Sequence, residues 1–366
     1  MKPADEKQLA EGVRTSDVPF EVVGLGTKRK LGNATAGVKL DLSNFDKIIN
    51  YEPDELIIEC GAAAKISAIE TLLSKSKQML AFEPPNFSAI FNADHAGSIG
   101  GALACNLAGP RRLKAGAPRD HILGVTGVNG QGELIKSGAR VVKNVTGYDV
   151  PRLMAGSYGT LMAFTSVIFK TLPKPETEQT CVLADLGPAR AVEDMATLLA
   201  TGAEISAAAY VPREGTYLRL EGIATSVQAR LEMVHSAIAV KDILDEKASL
   251  KNWQGLRDVR PLQGENDCDV WRVVVAPSEA AAYLAALPLT HRYFLDWAGS
   301  LVWLAVEAGC DVRKYLNRGV ATKFRSRQQS DVFQPQPKHV AALSARVKAA
   351  FDPRGLFNPG KMYMEF

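Results

Sequence analysis

At 366 residues the chain exceeds what one ordinary hydrophobic core organises, so two domains are expected. Hydrophobic residues make up 46% and charged residues 23%, an ordinary globular balance, and the net charge is only +3. That charge excludes a general attraction to nucleic acid or to an anionic membrane, and no apolar run approaches the ~20 residues that span a bilayer. The opening Met1-Lys2-Pro3-Ala4-Asp5-Glu6-Lys7 has no apolar run of signal-peptide type, so a cytoplasmic protein is expected.

The five cysteines (Cys60, Cys105, Cys181, Cys268, Cys310) are dispersed, and the five histidines show no H-x-H or H-E-x-x-H spacing. Iron–sulfur clusters and structural zinc need closely spaced thiolates, so neither a cluster nor a metal site is expected. The odd cysteine count argues against a disulfide framework.

Residues 4–15 read as a short polar helix. Phe20-Glu21-Val22-Val23 reads as a strand running into the glycine loop Gly24-Leu25-Gly26-Thr27-Lys28-Arg29-Lys30-Leu31-Gly32. Glycines for close approach, a Thr27 hydroxyl and the cations Lys28 or Lys30 suit a diphosphate, although a lone G-x-G is a weak signal and no Rossmann fingerprint is present. Val38 to Leu42 and Glu55 to Gly61 read as strands, and Ile66 to Ser76 as an amphipathic helix. Gly97-Ser98-Ile99-Gly100-Gly101-Ala102-Leu103-Ala104-Cys105-Asn106-Leu107-Ala108-Gly109 carries almost no side-chain bulk. It reads either as bare N–H groups cradling an anion or as a tightly packed small-residue turn. Pro110 to Asp120 is a basic loop. His121 to Val128 and Leu134 to Gly138 read as a hairpin turning at Asn129-Gly130-Gln131-Gly132-Glu133. A third small-residue stretch runs from Lys143 to Leu161, followed by the strand Met162 to Lys170. Pro173 and Pro175 then mark a domain boundary. In the second half, strands at Ala207 to Val211, Tyr217 to Glu221 and Trp271 to Val275 alternate with helices at Ile223 to Val240 and Ser278 to Leu287. Tyr293 to Trp297 and Leu301 to Val306 form a hairpin around Ala298-Gly299-Ser300. This rhythm predicts an α+β layer, an antiparallel sheet with helices on one face. Lys338 to Phe351 is the last helix.

Three segments in this order, Gly24-Leu25-Gly26-Thr27, Ser98-Ile99-Gly100-Gly101 with Asn106 and Gly109, and Gly147-Tyr148-Asp149 with Gly156-Ser157-Tyr158-Gly159-Thr160-Leu161, carry a resemblance. The first half resembles the FAD-binding domain of the vanillyl-alcohol oxidase/PCMH flavoprotein superfamily. The ending Phe357-Asn358-Pro359-Gly360-Lys361 resembles the C-terminal signature of its α-hydroxy-acid branch. Nearly the whole chain resembles a narrower family, the small FAD-binding subunits of bacterial glycolate-oxidising complexes. Asn106-Leu107-Ala108-Gly109-Pro110-Arg111-Arg112 and Lys143-Asn144-Val145-Thr146-Gly147-Tyr148-Asp149 carry that part of the likeness.

The resemblance implies an α+β fold: a PCMH-type FAD-binding domain of two α+β subdomains over residues 1–174, a smaller cap-like α+β domain with an antiparallel sheet over 175–335, and a C-terminal helix and tail over 336–366 that returns to the FAD domain. Carried over by position, Gly24, Leu25, Gly26, Thr27 and Lys28 with Ser98, Ile99, Gly100 and Gly101 would cradle the diphosphate, and Asn106 and Gly109 would also belong to the cofactor site. Gly156, Ser157, Gly159 and Thr160 would line the ribityl and adenine side. Ala163 and Phe164 would meet the adenine through their backbone, and Asn358 and Lys361 would return near the isoalloxazine. Two departures stand out: Tyr158 where many relatives carry an acid, and Met162 where many carry glycine and where bulk would crowd the cofactor. Members with covalent flavin use a histidine in the first glycine loop; Gly24 to Gly32 has none, which implies non-covalent FAD.

Oxidising a 2-hydroxy acid needs a cation for the carboxylate and a base for the hydroxyl proton. The second half offers Arg213, Arg219, Arg272 and Arg325, each of which also reads as a surface or salt-bridged arginine, and no histidine cluster. The resemblance therefore implies a subunit that binds FAD while the main substrate site sits on a catalytic FAD-binding large subunit, and electrons leave through an iron–sulfur subunit of a glycolate oxidase complex. Any membrane association would run through those partners. Two alternatives stay open: a free-standing FAD-dependent 2-hydroxy-acid dehydrogenase, and a non-catalytic structural subunit of flavoprotein fold.

Overall fold

The run Met162–Lys170 is the central strand of the first sheet in the computed structural model, and its first eight residues are buried. It pairs antiparallel with Ile57–Gly61 on one side and Ile122–Asn129 on the other; Ile48–Glu52 and Leu134–Gly138 are the edge strands of this five-stranded sheet. The structure describes residues 1–139, 147–265, 267–288, 291–326 and 331–364; Lys143, Asn144, Val145 and Thr146 of the third small-residue stretch lie outside them.

The chain separates into two compact units, residues 1–108, 116–174 and 335–366 in the first, and residues 109–115 and 175–334 in the second. In the first, a parallel pair, Phe20–Val23 with Val38–Asp41, stands apart from the five-stranded sheet. The helix Ile66–Lys75 shows why amphipathic spacing is informative: Ile66, Ile69 and Leu73, three and four residues apart, are its buried positions. Ile69 and Leu73 join Ile58, Phe82, Leu103, Val167 and Phe169 in one core. A smaller core joins Leu9 and Val13 of helix Glu6–Thr15 to Phe20, Leu40, Leu356 and Phe357, so the two ends of the chain share it.

The C-terminal tail is tied down by a buried ion pair. Lys348, near the end of helix Lys338–Phe351, reaches Asp352 Oδ2 at 2.6 Å and also donates to the carbonyls of Thr160 and Phe357 at 2.7 and 3.0 Å. Asp352 accepts from the main-chain N–H groups of Leu356 and Phe357 at 2.9 and 2.7 Å. Both side chains are at most 5% exposed, so neither charge has water to fall back on. The turn after the helix is thereby closed, and Phe357 bridges to Phe20.

The second unit is an eight-stranded antiparallel sheet in the order 242–244, 177–183, 215–222, 207–211, 291–296, 301–307, 268–274, 320–325. Alternation sends Cys181, Leu183, Leu218 and Leu220 to one face, where they pack with residues of helices Pro188–Leu199, Ala224–Ala237 and Pro277–Ala286. The expectation of helices on one face only is corrected here. Thr180, Arg219 and Glu178 alternate with those apolar residues, and helix Glu246–Arg257 packs over them. Its Trp253 donates Nε1–H to Thr180 Oγ1 at 2.7 Å, Ser249 donates to Glu178 at 2.7 Å, and the Arg219 guanidinium lies 5.0 Å from the Trp253 ring centroid. This helix buries Ser249 and Asn252 beside Trp253 and Leu256, too few apolar positions to register as an amphipathic pattern. Segment 109–115 docks within the same unit: Arg111 forms a two-pronged ion pair with Glu221, with its Nε and Nη2 2.9 and 2.8 Å from the carboxylate oxygens. Trp297 donates Nε1–H to the Gly109 carbonyl at 3.1 Å.

Removing one member of a buried ion pair strands the other. Lys348→Met is expected to cost about 3–5 kcal/mol, read as a lower urea midpoint of the full chain with an unchanged slope.

Candidate functional site

Strand Phe20–Val23 delivers the chain into the loop that begins at Gly24. Gly26 adopts a left-handed φ of 78°, and a turn closes behind it, Arg29 N–H to the Gly26 carbonyl at 3.2 Å and Leu31 N–H to the Lys28 carbonyl at 3.0 Å. Ahead of that turn, the main-chain N–H groups of Gly24, Leu25, Gly26, Thr27 and Lys28 have no protein acceptor among the described residues. Successive unsatisfied amides of this kind make an anion-binding concavity. Gly97 makes room for the loop: at its φ of 101°, a Cβ would lie 2.3 Å from Thr27 Oγ1 and 3.0 Å from Lys28 Nζ.

The opposite wall is the turn into helix Ile99–Cys105. Its amides are already committed, Ile99 N–H to the Ala64 carbonyl at 3.0 Å, Gly100 N–H to the Ala62 carbonyl at 2.8 Å and Gly101 N–H to Ser98 Oγ at 3.3 Å. A Cβ on Gly100 would stand 2.6 Å from the Ala62 oxygen. Of the two sequence readings of this stretch, close packing is what the Ile99–Gly101 amides serve, and the free donors lie on the other loop. The turn still contributes Ser98, Gly100 and Gly101 to the cleft wall.

The cleft between these walls has a volume of about 120 Å³ and opens to solvent at its mouth. Gly24, Leu25, Gly26, Thr27 and Lys28 line it; Gly159, Phe164, Asn358 and Lys361 line it from later in the chain. Tyr158 and Met162, the two departures from the family pattern, line it as well.

The remaining sequence-predicted residues do not line the cleft. Ile99 is fully buried in the core. Asn106 caps helix Ile99–Cys105 in a left-handed conformation and accepts from Arg119 N–H at 3.1 Å. Gly156 packs near Asn106, and the Thr160 hydroxyl donates to the Ser157 carbonyl at 2.7 Å. Ser157 Oγ is buried without a partner among the described residues. Ala163 and Phe164 pair with Val128 and Gly127 on one side, while strand Ile57–Gly61 on the other side ends before reaching them. Gly109 belongs to the second unit. The arginines weighed for a carboxylate are engaged elsewhere: Arg219 with Ser206 and Glu221, Arg325 with the Glu265 and Cys268 carbonyls, Arg272 over the Trp297 ring. Arg213 is exposed, and none of the four lines this cleft.

Sequence reasoning missed the alanines Ala62 and Ala63, which line the cleft behind the Ser98 turn. Their signal was the small-residue run Gly61-Ala62-Ala63-Ala64 at the end of a strand. It also missed Lys348 and Asp352, whose signal was an i,i+4 Lys–Asp pair directly before Pro353.

The electrostatics of the cleft are one-sided. Lys28 Nζ donates to the Ala96 carbonyl at 3.2 Å and Lys361 Nζ to the Arg29 carbonyl at 2.7 Å; neither forms an ion pair with a carboxylate among the described residues, although Glu21 attracts Lys361 from farther off. Burial pushes both ammonium pKa values down. The acid on the wall, Glu21, is held by Arg29 at 2.8 Å, and that hydrogen bond keeps its carboxyl below the ordinary range. Cys105 faces the same space as a protonated thiol, pushed up to about 11 by burial. Asn358 completes the site from the C-terminus. It accepts from Val22 N–H at 2.8 Å and donates to the carbonyls of Tyr158 and Gly159 at 2.8 and 3.3 Å, tying loop, wall and tail together.

Five free amides and two lysines outside any ion pair fit the diphosphate of a dinucleotide, and the apolar wall at Val22, Met162 and Phe164 fits aromatic rings. Fold and cleft thus define an FAD-dependent oxidoreductase of the PCMH type. The family model described as an FAD binding domain matches residues 1–138. Two solved structures share the fold: p-cresol methylhydroxylase with substrate bound, at a TM-score of 0.71 and 14% identity over all of this chain and 89% of that one, and an alkyldihydroxyacetonephosphate synthase, at 0.69 and 13% over 99% and 77%. The glycolate oxidase subunit GlcE of Escherichia coli (strain K12) is 32% identical over 95% of this chain and 93% of its own length. The glycolate oxidase subunit GlcD of Bacillus subtilis (strain 168) is 36% identical over 44% of this chain and 34% of its own. The chain belongs to the GlcE family.

Lys28→Met is expected to weaken FAD about ten- to a hundredfold, the worth of one hydrogen bond to a charged group. An anion binds the protonated lysine, so wild-type affinity falls as pH rises through the lowered Lys28 pKa, and the variant shows a flatter profile; flavin fluorescence titrations across pH read both. Asn358→Ala leaves Val22 N–H without its acceptor and places alanine at a φ of 45°. A loss of about 2 kcal/mol is expected in urea unfolding, together with weaker FAD binding.

Proposed function

We propose that this chain is the FAD-binding subunit of a multi-subunit glycolate oxidase. In this reading residues 1–174 and the returning tail 336–366 hold FAD non-covalently, and 175–335 form a cap-like domain. The main substrate site lies on a catalytic FAD-binding large subunit, and electrons leave through an iron–sulfur subunit. The observation that carries the proposal is the amide run Gly24 to Lys28 facing a cleft whose two lysines form no ion pair among the described residues. Similarity to both GlcE and GlcD supports an assembly with more than one chain of this fold.

When bound, the flavin supplies the hydride acceptor for oxidation of a 2-hydroxy acid. The chain's own residues hold it. The Gly24–Lys28 amides and Lys28 take the diphosphate, Ser98 and Thr27 offer hydroxyls beside it, and Asn358 fixes the wall that meets the rings. Non-covalent attachment is favoured because the lining residues include no histidine, and the one thiol, Cys105, stays protonated. A substrate site on a partner is favoured because the cleft offers no free carboxylate as base: its one acid, Glu21, is held by Arg29. Among the described residues no group of three or more His, Cys, Asp or Glu side chains that could hold a metal is present, and in this reading the iron–sulfur route lies on a partner. No described helix is long and apolar enough to cross a membrane; in this reading the chain is cytoplasmic and meets a membrane through its partners.

A second reading, a structural subunit that has ceased to use its flavin, is favoured by Tyr158 and Met162 on the cleft wall. The absorbance spectrum of the purified chain after incubation with FAD and desalting separates the two. A retained flavin band, released as free FAD on denaturation and unbleached by glycolate until partner subunits are added, is the expected result. Bleaching by glycolate in the isolated chain would make it a free-standing dehydrogenase. A folded chain that retains no flavin, with or without partners, would leave only the structural role.

A further inference from the structure

The second unit carries a cleft of its own, at the edge strand Asp242–Leu244 of its sheet. Tyr217 and Asn252 form its buried floor, and Arg213, Lys241, Lys251 and Arg260 stand exposed around it. It has a volume of about 490 Å³, within the ~300–1,000 Å³ usual for small-molecule sites. Two acids share the lining, and both are engaged: Glu214 accepts from the Tyr217 hydroxyl at 2.9 Å, and Asp242 accepts from the Ile243 N–H at 2.8 Å. The cations outnumber them four to two, and none of the four forms an ion pair with a carboxylate among the described residues, although Asp185 attracts Lys241 from farther off. Arg213 is held in place by its backbone. It adopts a left-handed φ of 70°, and its N–H donates to Asp185 Oδ2 at 2.7 Å.

Charge on the rim alone would describe an ordinary solvated surface. The floor adds an independent observation. Asn252 is only 8% exposed, its Nδ2 is buried, and the carboxamide has no protein partner among the described residues. Buried polar groups in folded proteins are hydrogen-bonded with few exceptions, and this unpaired donor belongs to a residue that lines a cationic cleft. The position is no accident of a helix end: Asn252 lies in the middle of helix Glu246–Arg257, next to Lys251.

We propose that this cleft binds a small molecule carrying two acidic groups, phosphate or carboxylate. One acidic group would accept from Asn252 Nδ2 at the floor, and the surrounding guanidinium and ammonium groups would take the rest, the arginines in the two-pronged geometry that suits such oxygens. The inference does not depend on what the first unit binds.

The test is calorimetric titration of the full chain, at low ionic strength, with inorganic pyrophosphate and separately with succinate. Saturation with FAD keeps the phosphate probe out of the Gly24–Lys28 cleft, and the Lys28→Met chain serves that purpose should FAD not bind. A one-to-one isotherm is expected that weakens about tenfold or more in both Lys251→Ser and Asn252→Leu. Asn252→Leu removes the unpartnered donor, so its thermal midpoint should stay level or rise while binding is lost, which a merely structural asparagine would not do. Preference for one probe identifies the acid as phosphate or carboxylate. No binding of either probe, or isotherms unchanged in both variants, overturns the proposal.

Discussion

Everything at the cleft of the first unit depends on one imbalance: donors and positive charge gathered where the protein supplies no acceptor. Five consecutive amides from Gly24 to Lys28 point to no carbonyl among the described residues, and Lys28 and Lys361 sit beside them with no carboxylate in an ion pair. Burying the two ammonium groups is costly unless an anion completes them, because each loses hydration. Nearby, Glu21 offers the nearest internal answer, yet Arg29 has already claimed it. The site is therefore arranged for an anionic ligand, and in the proposed reading that anion is the dinucleotide diphosphate.

Holding that loop in place is a task for the far end of the chain. Asn358 bonds to Val22 before the loop and to Tyr158 and Gly159 on the wall. Behind it, the buried Lys348–Asp352 pair closes the turn that brings the tail back, and Phe357 joins the core shared with Leu9 and Phe20. A buried ion pair is a weak source of net stability, but it is selective about geometry. Here the geometry it selects is the one that puts Asn358 and Lys361 on the cleft.

The second unit uses its sheet differently on its two faces. One face is a conventional apolar core beneath three helices. The other carries Glu178, Thr180 and Arg219 under helix Glu246–Arg257, whose Trp253 and Ser249 answer those polar groups one by one. Asn252, on the same helix, has a buried Nδ2 with no partner among the described residues. Polar networks of this kind favour full satisfaction, which gives a single unmatched amide at a cationic cleft its meaning.

Strand and helix positions were largely legible from local pattern. Met162–Lys170 and Lys338–Phe351 form where the sequence predicts them, because alternation and helical spacing are properties of neighbouring residues. The small-residue stretches were legible too, as was the flavoprotein family they belong to. Their division of labour was not. Both the Gly24 and the Gly97 stretches read as anion cradles, and only the tertiary structure showed that the Ile99, Gly100 and Gly101 amides are taken by Ala64, Ala62 and Ser98, leaving the free donors on the first loop. Helix Glu246–Arg257 escaped detection because its buried face is half polar, matched to a sheet face far away in sequence. The sequence by itself determined where backbone must come close and which residues carry charge. Which amides remain unpaired, and which lysines form no ion pair, was decided by contacts between segments as distant as Val22 and Asn358, and no local pattern encodes those.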